Sequence, residues 1–305
     1  EYRVITQNYK AEFDQISGAA VTATTRSGTN EFRGEVFWDH SRSPWRASTP
    51  LEKQQGSKAD SKDDQYGLAL GGPIVQNKAH WFLAYEGKRI DTPESVVPGQ
   101  GRSVADLPPA LQGLIGGFVA PFKEDLLFGK LDWFVDEYNL LEFTVKVRIE
   151  SETTNLRNQN SEPWSTSKDN DETRLDLRYQ RSSDRWVNDA HLTYEKAFWS
   201  PTASTLEPGY VLTTEDRNQV ILNAGGGRDF QRKGQRGYAF QDDFTLSGLE
   251  WHGNHIIKLG AKVKRVTIEA REQQPLNPQF FYDIGESATV PYLVQFGAPL
   301  AGIGD

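Results

Sequence analysis

The 305-residue chain has no cysteine, which removes disulfide frameworks, thiolate metal sites and cysteine nucleophiles together. It has no run approaching eighteen apolar residues, and its mean hydropathy is -0.63, so a transmembrane helix is excluded. It lacks a surplus of basic residues. The 34 Lys and Arg stand against 42 Asp and Glu, a net charge of -8, which argues against a nucleic-acid binder and against a polybasic membrane contact. Nor does it show an initiator Met, a charged leader or an apolar targeting stretch before Glu1, so a piece of a longer protein is expected. None of these absences excludes a membrane barrel, whose strands need an apolar residue only at every second position.

What the chain does have is alternation. In "LEFTVKVRIE", Leu141, Phe143, Val145, Val147 and Ile149 share one face, and Glu142, Thr144, Lys146, Arg148 and Glu150 share the other. "TRLDLRYQ" repeats the pattern with Leu175, Leu177 and Tyr179 against Arg174, Asp176 and Arg178, and "HIIKLGAKVK" with Ile257, Leu259, Ala261 and Val263 against Lys258, Lys262 and Lys264. Weaker versions at 32–40, 65–71, 80–88, 127–135, 186–194 and 236–247 bring the expected total to about nine strands. The one helical candidate, inside "VADLPPALQGLIGGFVAPF", is kept short by its prolines and glycines.

Connection lengths carry a second signal. Short polar turns at "VQNK", "DEYN", "SSDR" and "WHGN" alternate with long stretches near 43–64, 91–125, 152–170 and 199–235 that are rich in Ser, Asn, Asp, Gly and Pro. Soluble sandwiches rarely keep loop length in step with strand parity, whereas outer-membrane barrels do so as a rule. Trp81, Tyr85, Trp133, Trp186 and Tyr194 lie on the apolar faces of their strands, where girdle residues belong.

No motif points to an enzyme. His40, His80, His191, His252 and His255 show no metal-binding spacing, and no G-x-S-x-G occurs. The glycines of "AGGGRDF" lack the Lys and Ser or Thr of a phosphate loop, and "SKDNDE" lacks the spacing and glycine of a calcium loop. No catalytic residue, cofactor or metal is expected.

Two longer stretches are more specific. "YKAEFDQISGAAVTATTRSGTNEFRGEVFWDH", followed by "YGLALGGPIVQNKAHWFLAYEGKR", resembles TonB-dependent outer-membrane receptors, in particular the Oar-like group with a carboxypeptidase-regulatory-like domain. "LFGKLDWFVDEYNLLEFTVKVR" and "GNHIIKLGAKVKR" resemble later barrel hairpins of that group. Arg26 stands where Lys is commoner, and "HWFLAYEG" replaces an aromatic triplet.

The resemblance implies an all-β fold: the amino-terminal part of a large plugged transmembrane antiparallel β-barrel, in the outer membrane of a Gram-negative bacterium. Residues 1–30 would be the end of the plug domain and 31–305 the first part of the barrel, of about 22 strands in all, so the nine here are expected to leave an open sheet. Ser27, Gly28, Thr29 and Asn30 would form the hinge between plug and barrel. Gly28 would permit a turn, and the three polar side chains would bond their own backbone. Arg26 would need a carboxylate of the wall, with Glu35 as a candidate. Glu142, Lys146, Arg148, Arg174, Asp176 and Arg178 would face the lumen. The expected partners are a TonB-type energy-coupling protein of the inner membrane, acting through a segment not present here, outer-membrane lipid and a substrate the sequence does not identify; nucleic acid is not among them. The implied function is energy-coupled uptake. A structural or adhesive outer-membrane barrel and a soluble β-rich binding module are the alternatives.

Overall fold

The computed structural model describes residues 2–6, 19–48, 50–56, 58 and 60–297. Residues 7–18 of the expected plug segment and 298–305 of the expected wall lie outside the described residues. Strands β1 (Tyr2–Ile5) and β2 (Ala20–Ala23) form an antiparallel pair by themselves. The bulk of the chain is one antiparallel sheet of nine long strands: β3 (Arg33–Arg42), β4 (Lys62–Val75), β5 (Ala79–Val96), β6 (Gly116–Phe134), β7 (Asn139–Thr154), β8 (Thr166–Ser182), β9 (Trp186–Ala203), β12 (Gln231–Glu250) and β13 (Asn254–Glu272). Each strand pairs with its neighbour in this sequence, and the sheet ends at β3 on one side and β13 on the other. Four short turns join the hairpins at one end. Asn77 and His252 adopt left-handed backbone there, with φ of 62° and 51°, which lets the chain reverse within a few residues.

Register converts the alternation into two faces. Val145 pairs with Gly129 and Leu175, and Phe143 with Leu131 and Leu177, so the apolar sets of adjacent strands fall in one continuous band. Its members stay exposed: Leu131, Trp133, Phe143, Leu177, Leu192, Tyr238, Phe240, Leu259 and Val263 are all open at the surface. A band crossing nine strands far exceeds the apolar patch a water-soluble protein tolerates. Aromatics cluster within it, Tyr194 against Tyr238 with centroids 4.9 Å apart and Trp186 stacked on Phe244 at 5.9 Å. Towards the long loops the same face turns charged: Arg89 donates two hydrogen bonds to Asp125, at 2.7 and 2.9 Å, and Tyr85 donates a third at 2.6 Å. From Trp133 to Asp125 is about 26 Å along the strand at ~3.3 Å per residue, close to the roughly 25 Å apolar height of an outer-membrane wall. No helix among the described residues is long and apolar enough to cross a membrane; the strands are.

The dry core lies elsewhere. The long connections contain β10 (Gly209–Thr213) and β11 (Val220–Gly225), and after β13 come β14 (Gln279–Asp283) and β15 (Leu293–Gln295); these form a four-stranded sheet in the order β11-β10-β14-β15. Around it Val96, Leu107, Leu156, Leu212, Ile221 and Leu222 form a single buried cluster drawn from three separate connections, with Tyr210, Tyr282 and Ile284 packed against it. Main-chain bonds stitch the connections together, Val97 N donating to Asn158 O, Gly99 N to Ile221 O and Ser161 N to Asn223 O. Tyr210 and Tyr282 stack with centroids 4.0 Å apart, and burial, then the neighbouring phenol, pushes Tyr210 up to about 12. The helical candidate reduces to a 3-10 turn at Val104–Asp106 and one short helix, Pro109–Gln112, in the rim of this cap. The three long connections that follow β5, β7 and β9 are thus one folded cap rather than independent loops.

Candidate functional site

Two places on the sheet gather chemistry: the segment that leads into β3, and the polar face opposite the apolar band. The leading segment crosses the turn end of β4 and β5 in direct contact with their backbone. A Cβ on Gly28 would lie 2.2 Å from Trp81 O and 2.9 Å from Gly72 O. Gly28 is not in the left-handed region, so its role differs from the turn expected of it: it lets two main chains touch. Asn30 also departs from expectation. Instead of bonding its own backbone, its carbonyl accepts from Asn77 N at 2.7 Å and from His80 Nε2 at 2.9 Å, and its amide donates to Asn77 Oδ1 at 2.6 Å. His80 is buried beneath it. Thr29 does bond locally, its hydroxyl donating to Glu31 O at 3.0 Å and accepting from Glu31 N at 3.3 Å. Ser27 lines the groove beside Gly28. Arg26 Nη1 donates to Glu35 Oε2 at 3.2 Å, both side chains being largely exposed, so the pair adds little stability on its own. The segment is therefore pinned by a glycine contact and an asparagine clamp, with the ion pair at its margin.

The six charged residues singled out on β7 and β8 share one face, and register sets Glu142 opposite Arg178, Lys146 opposite Arg174 and Arg148 opposite Glu172. They do not satisfy one another. Glu142 accepts from Lys130 at 2.7 Å; Arg178 donates two bonds to Asp189, both 2.7 Å; Lys146 reaches Glu172 at 3.4 Å; and Arg174 reaches Glu195 at 3.4 Å. Arg148 donates to Asn170 at 3.1 Å while its Nε stays buried without a partner. Asp176 accepts from Thr193 at 2.7 Å and lies 3.1 Å from His191 Nδ1, and His191 Nε2 lies 3.3 Å from Asp189. Sequence reading missed Lys130, Asp189, His191 and Glu195; the one signal available was that each occupies a polar-face position of a strand adjoining β7 or β8. Histidine His252 stays in a turn, and His255 Nε2 lies 2.6 Å from Trp251 O. No group of His, Asp or Glu among the described residues is placed to hold a metal.

The polar face is not polar throughout. On β3 to β6 it carries Phe37, Ala69, Phe82, Ala84, Leu126 and Phe128, with Phe82 and Phe128 rings 6.1 Å apart, whereas β8 to β13 present Arg, Lys, His and Gln at the corresponding positions.

Residues 24–104 match the family model described as the outer membrane beta barrel domain. Over 89 residues the chain is 32% identical to the TonB-dependent transporter Oar of Myxococcus xanthus, a match covering 28% of this chain and 8% of that protein. The fold is similar to that of the outer membrane transporter YddB from Escherichia coli, with a TM-score of 0.68 and 13% identity over 94% of this chain and 37% of that one. The chain thus spans well under half the length of either relative. The exposed apolar band, the open antiparallel sheet and these likenesses together identify the chain as outer-membrane β-barrel wall, similar to that of TonB-dependent transporters.

Proposed function

We propose that the protein carrying this wall takes up a substrate across the outer membrane, driven by a TonB-type protein of the inner membrane. In this reading residues 1–30 end a plug domain, the wall begins at Glu31, the short turns face the periplasm and the cap lies outside. The observation that carries it is the pinned entry to β3: the wall supplies Trp81, Gly72, Asn77 and His80 to fix the chain that precedes its first strand. A wall that only anchors the protein has no use for such a clamp, whereas a plug pulled from the periplasm needs a fixed point of attachment. Arg26 with Glu35 then bridges plug and wall, Ser27 to Asn30 form the hinge, and the charged faces of β7 and β8 line the lumen. The likeness to the transporter Oar supports the same reading.

The folded cap favours a second reading, a structural or adhesive outer-membrane protein that displays a rigid surface. One experiment separates the two. The full-length protein in detergent is titrated with the periplasmic domain of the TonB-type protein of the same bacterium, and saturable binding is expected. An intact, heat-modifiable barrel that shows no binding favours the adhesive reading.

A further inference from the structure

Where the apolar band ends towards the cap, the outward face of the wall turns basic. On β9 and β12 the exposed Lys196 and Arg236 stand directly opposite each other in register, flanked in the same row by Thr173 of β8 and Thr267 of β13. The Tyr194 and Tyr238 pair lies two residues nearer the short turns, and the exposed Arg265 stands opposite Tyr238 on β13. Two residues nearer the cap, the Phe198 ring covers Gly234, where a Cβ would lie 2.6 Å from Phe198 Cδ1; Lys196 Nζ is 5.9 Å from the ring centroid and the Arg232 guanidinium 5.1 Å. Like charges in direct cross-strand register destabilise a pair, with Cβ atoms roughly 5 Å apart, and an anion between them removes that cost. The carboxylates of this face do not supply one. Glu269 is shared by Arg232 at 3.1 Å and Arg271 at 3.3 Å; Asp171, diagonal to Lys196, accepts from Glu150 N at 3.3 Å; and Asp169 stands further towards the cap, opposite Ser200. Among the described residues Lys196, Arg236 and Arg265 form no ion pair. Even with those three carboxylates counted, Lys196, Arg232, Arg236, Arg265 and Arg271 leave this face cationic, in a chain whose net charge is -8. The arrangement recurs at the same margin on β5 and β6, where register sets Arg89 opposite the exposed Lys123 and Arg89 donates to Asp125.

We infer that this margin binds the phosphate groups of outer-leaflet lipid, with Lys196, Arg236 and Arg265 as the principal site. The inference rests on the orientation given under Proposed function, cap outside and short turns in the periplasm, and not on energy coupling. The site continues the lipid-facing band: acyl chains lie against Leu192 and Phe240, and the headgroup begins at the tyrosine pair. A phosphate at that height meets two planar guanidinium forks, an ammonium point charge and the Thr173 and Thr267 hydroxyls. A free anion finds the same charges but not the apolar surface below them, so the lipid is the favoured occupant.

The test titrates the full-length protein, in neutral detergent at low salt, with bis-phosphorylated lipid A, and bound lipid is read by native mass spectrometry. Lipid A stripped of its phosphates and inorganic phosphate are the controls. Lipid A should bind, the stripped lipid at least about tenfold more weakly, and added salt should weaken binding of the phosphorylated form. The triple variant Lys196→Gln/Arg236→Gln/Arg265→Gln should lower lipid A binding at least about tenfold. Lys196→Arg should retain it, and Arg185→Gln, in the short turn between β8 and β9, should leave it unchanged. Equal binding of the two lipids, displacement of lipid A by equimolar inorganic phosphate, or undiminished binding by the triple variant in a barrel of normal heat-modifiability overturns the inference. Binding lost in Arg185→Gln instead would put lipid phosphate at the short turns and overturn it through the orientation on which it rests. Titration with the TonB-type partner is scored separately: lipid A binding that depends on the three cations in a protein that does not bind the partner supports the inference and counts against energy coupling alone.

Discussion

Replacing Gly28 by alanine tests the pinned entry to β3 most directly. The added Cβ would sit 2.2 Å from Trp81 O and 2.8 Å from Trp81 N, both main-chain atoms of a strand paired on each side, so the leading segment has to move rather than the wall. Relief to an ordinary contact needs a shift of about 1 Å, and overpacking of this kind costs roughly 1 to 3 kcal/mol. Such a shift also lengthens the Asn30 bonds to Asn77 and His80, now 2.6 to 2.9 Å, each worth about 1 kcal/mol. A net loss of about 2 to 3 kcal/mol in the docking of this segment corresponds to a roughly 30- to 150-fold rise in its opening. These 305 residues hold no cysteine, so Ser27→Cys, with any cysteine elsewhere in the full-length protein replaced, gives a single thiol without background. Its maleimide labelling rate is measured with and without Gly28→Ala, in full-length protein in which heat-modifiability confirms a folded barrel. A rise of at least tenfold is expected. Equal rates would mean that the close approach between Gly28 and β5 is not what holds the segment, and the clamp argument would fail.

Val145→Arg should destabilise the barrel by about 2 to 4 kcal/mol, as for a cation near the bilayer midplane; Val145→Phe should cost far less because lipid accommodates added volume, and folding titrations into vesicles that show equal losses would contradict a lipid-facing Val145. Leu212→Ala removes a fully buried side chain from the cap and should cost about 2 to 5 kcal/mol locally; added protease should then cut the cap on intact cells while the wall stays folded, and an uncut cap would refute its dependence on this core. Asp283 is held below the usual carboxylate range: burial pushes it up, but Gly285 N and the Arg217 guanidinium more than offset this. Its lowered folded value means that its contribution is present above the unfolded value near 4 and is lost as pH falls through the folded one. Protease sensitivity of the cap should therefore rise below about pH 4, and Asp283→Asn should flatten that dependence; an unchanged profile in the variant would assign the acid sensitivity to other groups.

The wall was legible because each strand faces two media, so periodicity two survives wherever lipid lies on one side. Leu141–Glu150 displays it cleanly for that reason. Legibility stops where the lipid stops. The upper part of β6, Gly116–Asp125, pairs with β5 throughout and with β7 only from Phe122, and without an apolar band to advertise it the sequence shows it as part of the long stretch near 91–125. The cap was invisible for a different reason. "GYVLT" and "VILNAG" are short apolar runs in polar surroundings, and β10 gains a parallel neighbour in β14, some seventy residues later, a pairing without local sequence signature. At the charged face the sequence placed Glu142, Arg174, Asp176 and Arg178 on the right strands, but their partners depend on register with β6 and β9, which alternation alone does not set. The roles of Gly28 and Asn30 depend on contacts across fifty residues for the same reason.

The shared core of the cap has a mechanical consequence. Val96, Leu107, Leu156, Leu212 and Ile221 tie the outer ends of the hairpins from β5 to β12 into one body. Antiparallel strands resist sliding mainly through their ladder bonds, and a common anchor at one end makes any slip of one strand a displacement of its neighbours as well. A pull on the segment pinned at β4 and β5 would therefore meet a wall that responds as a unit from β5 onward, with compliance confined to β3, β4 and the first long connection, none of whose described residues belongs to the shared core.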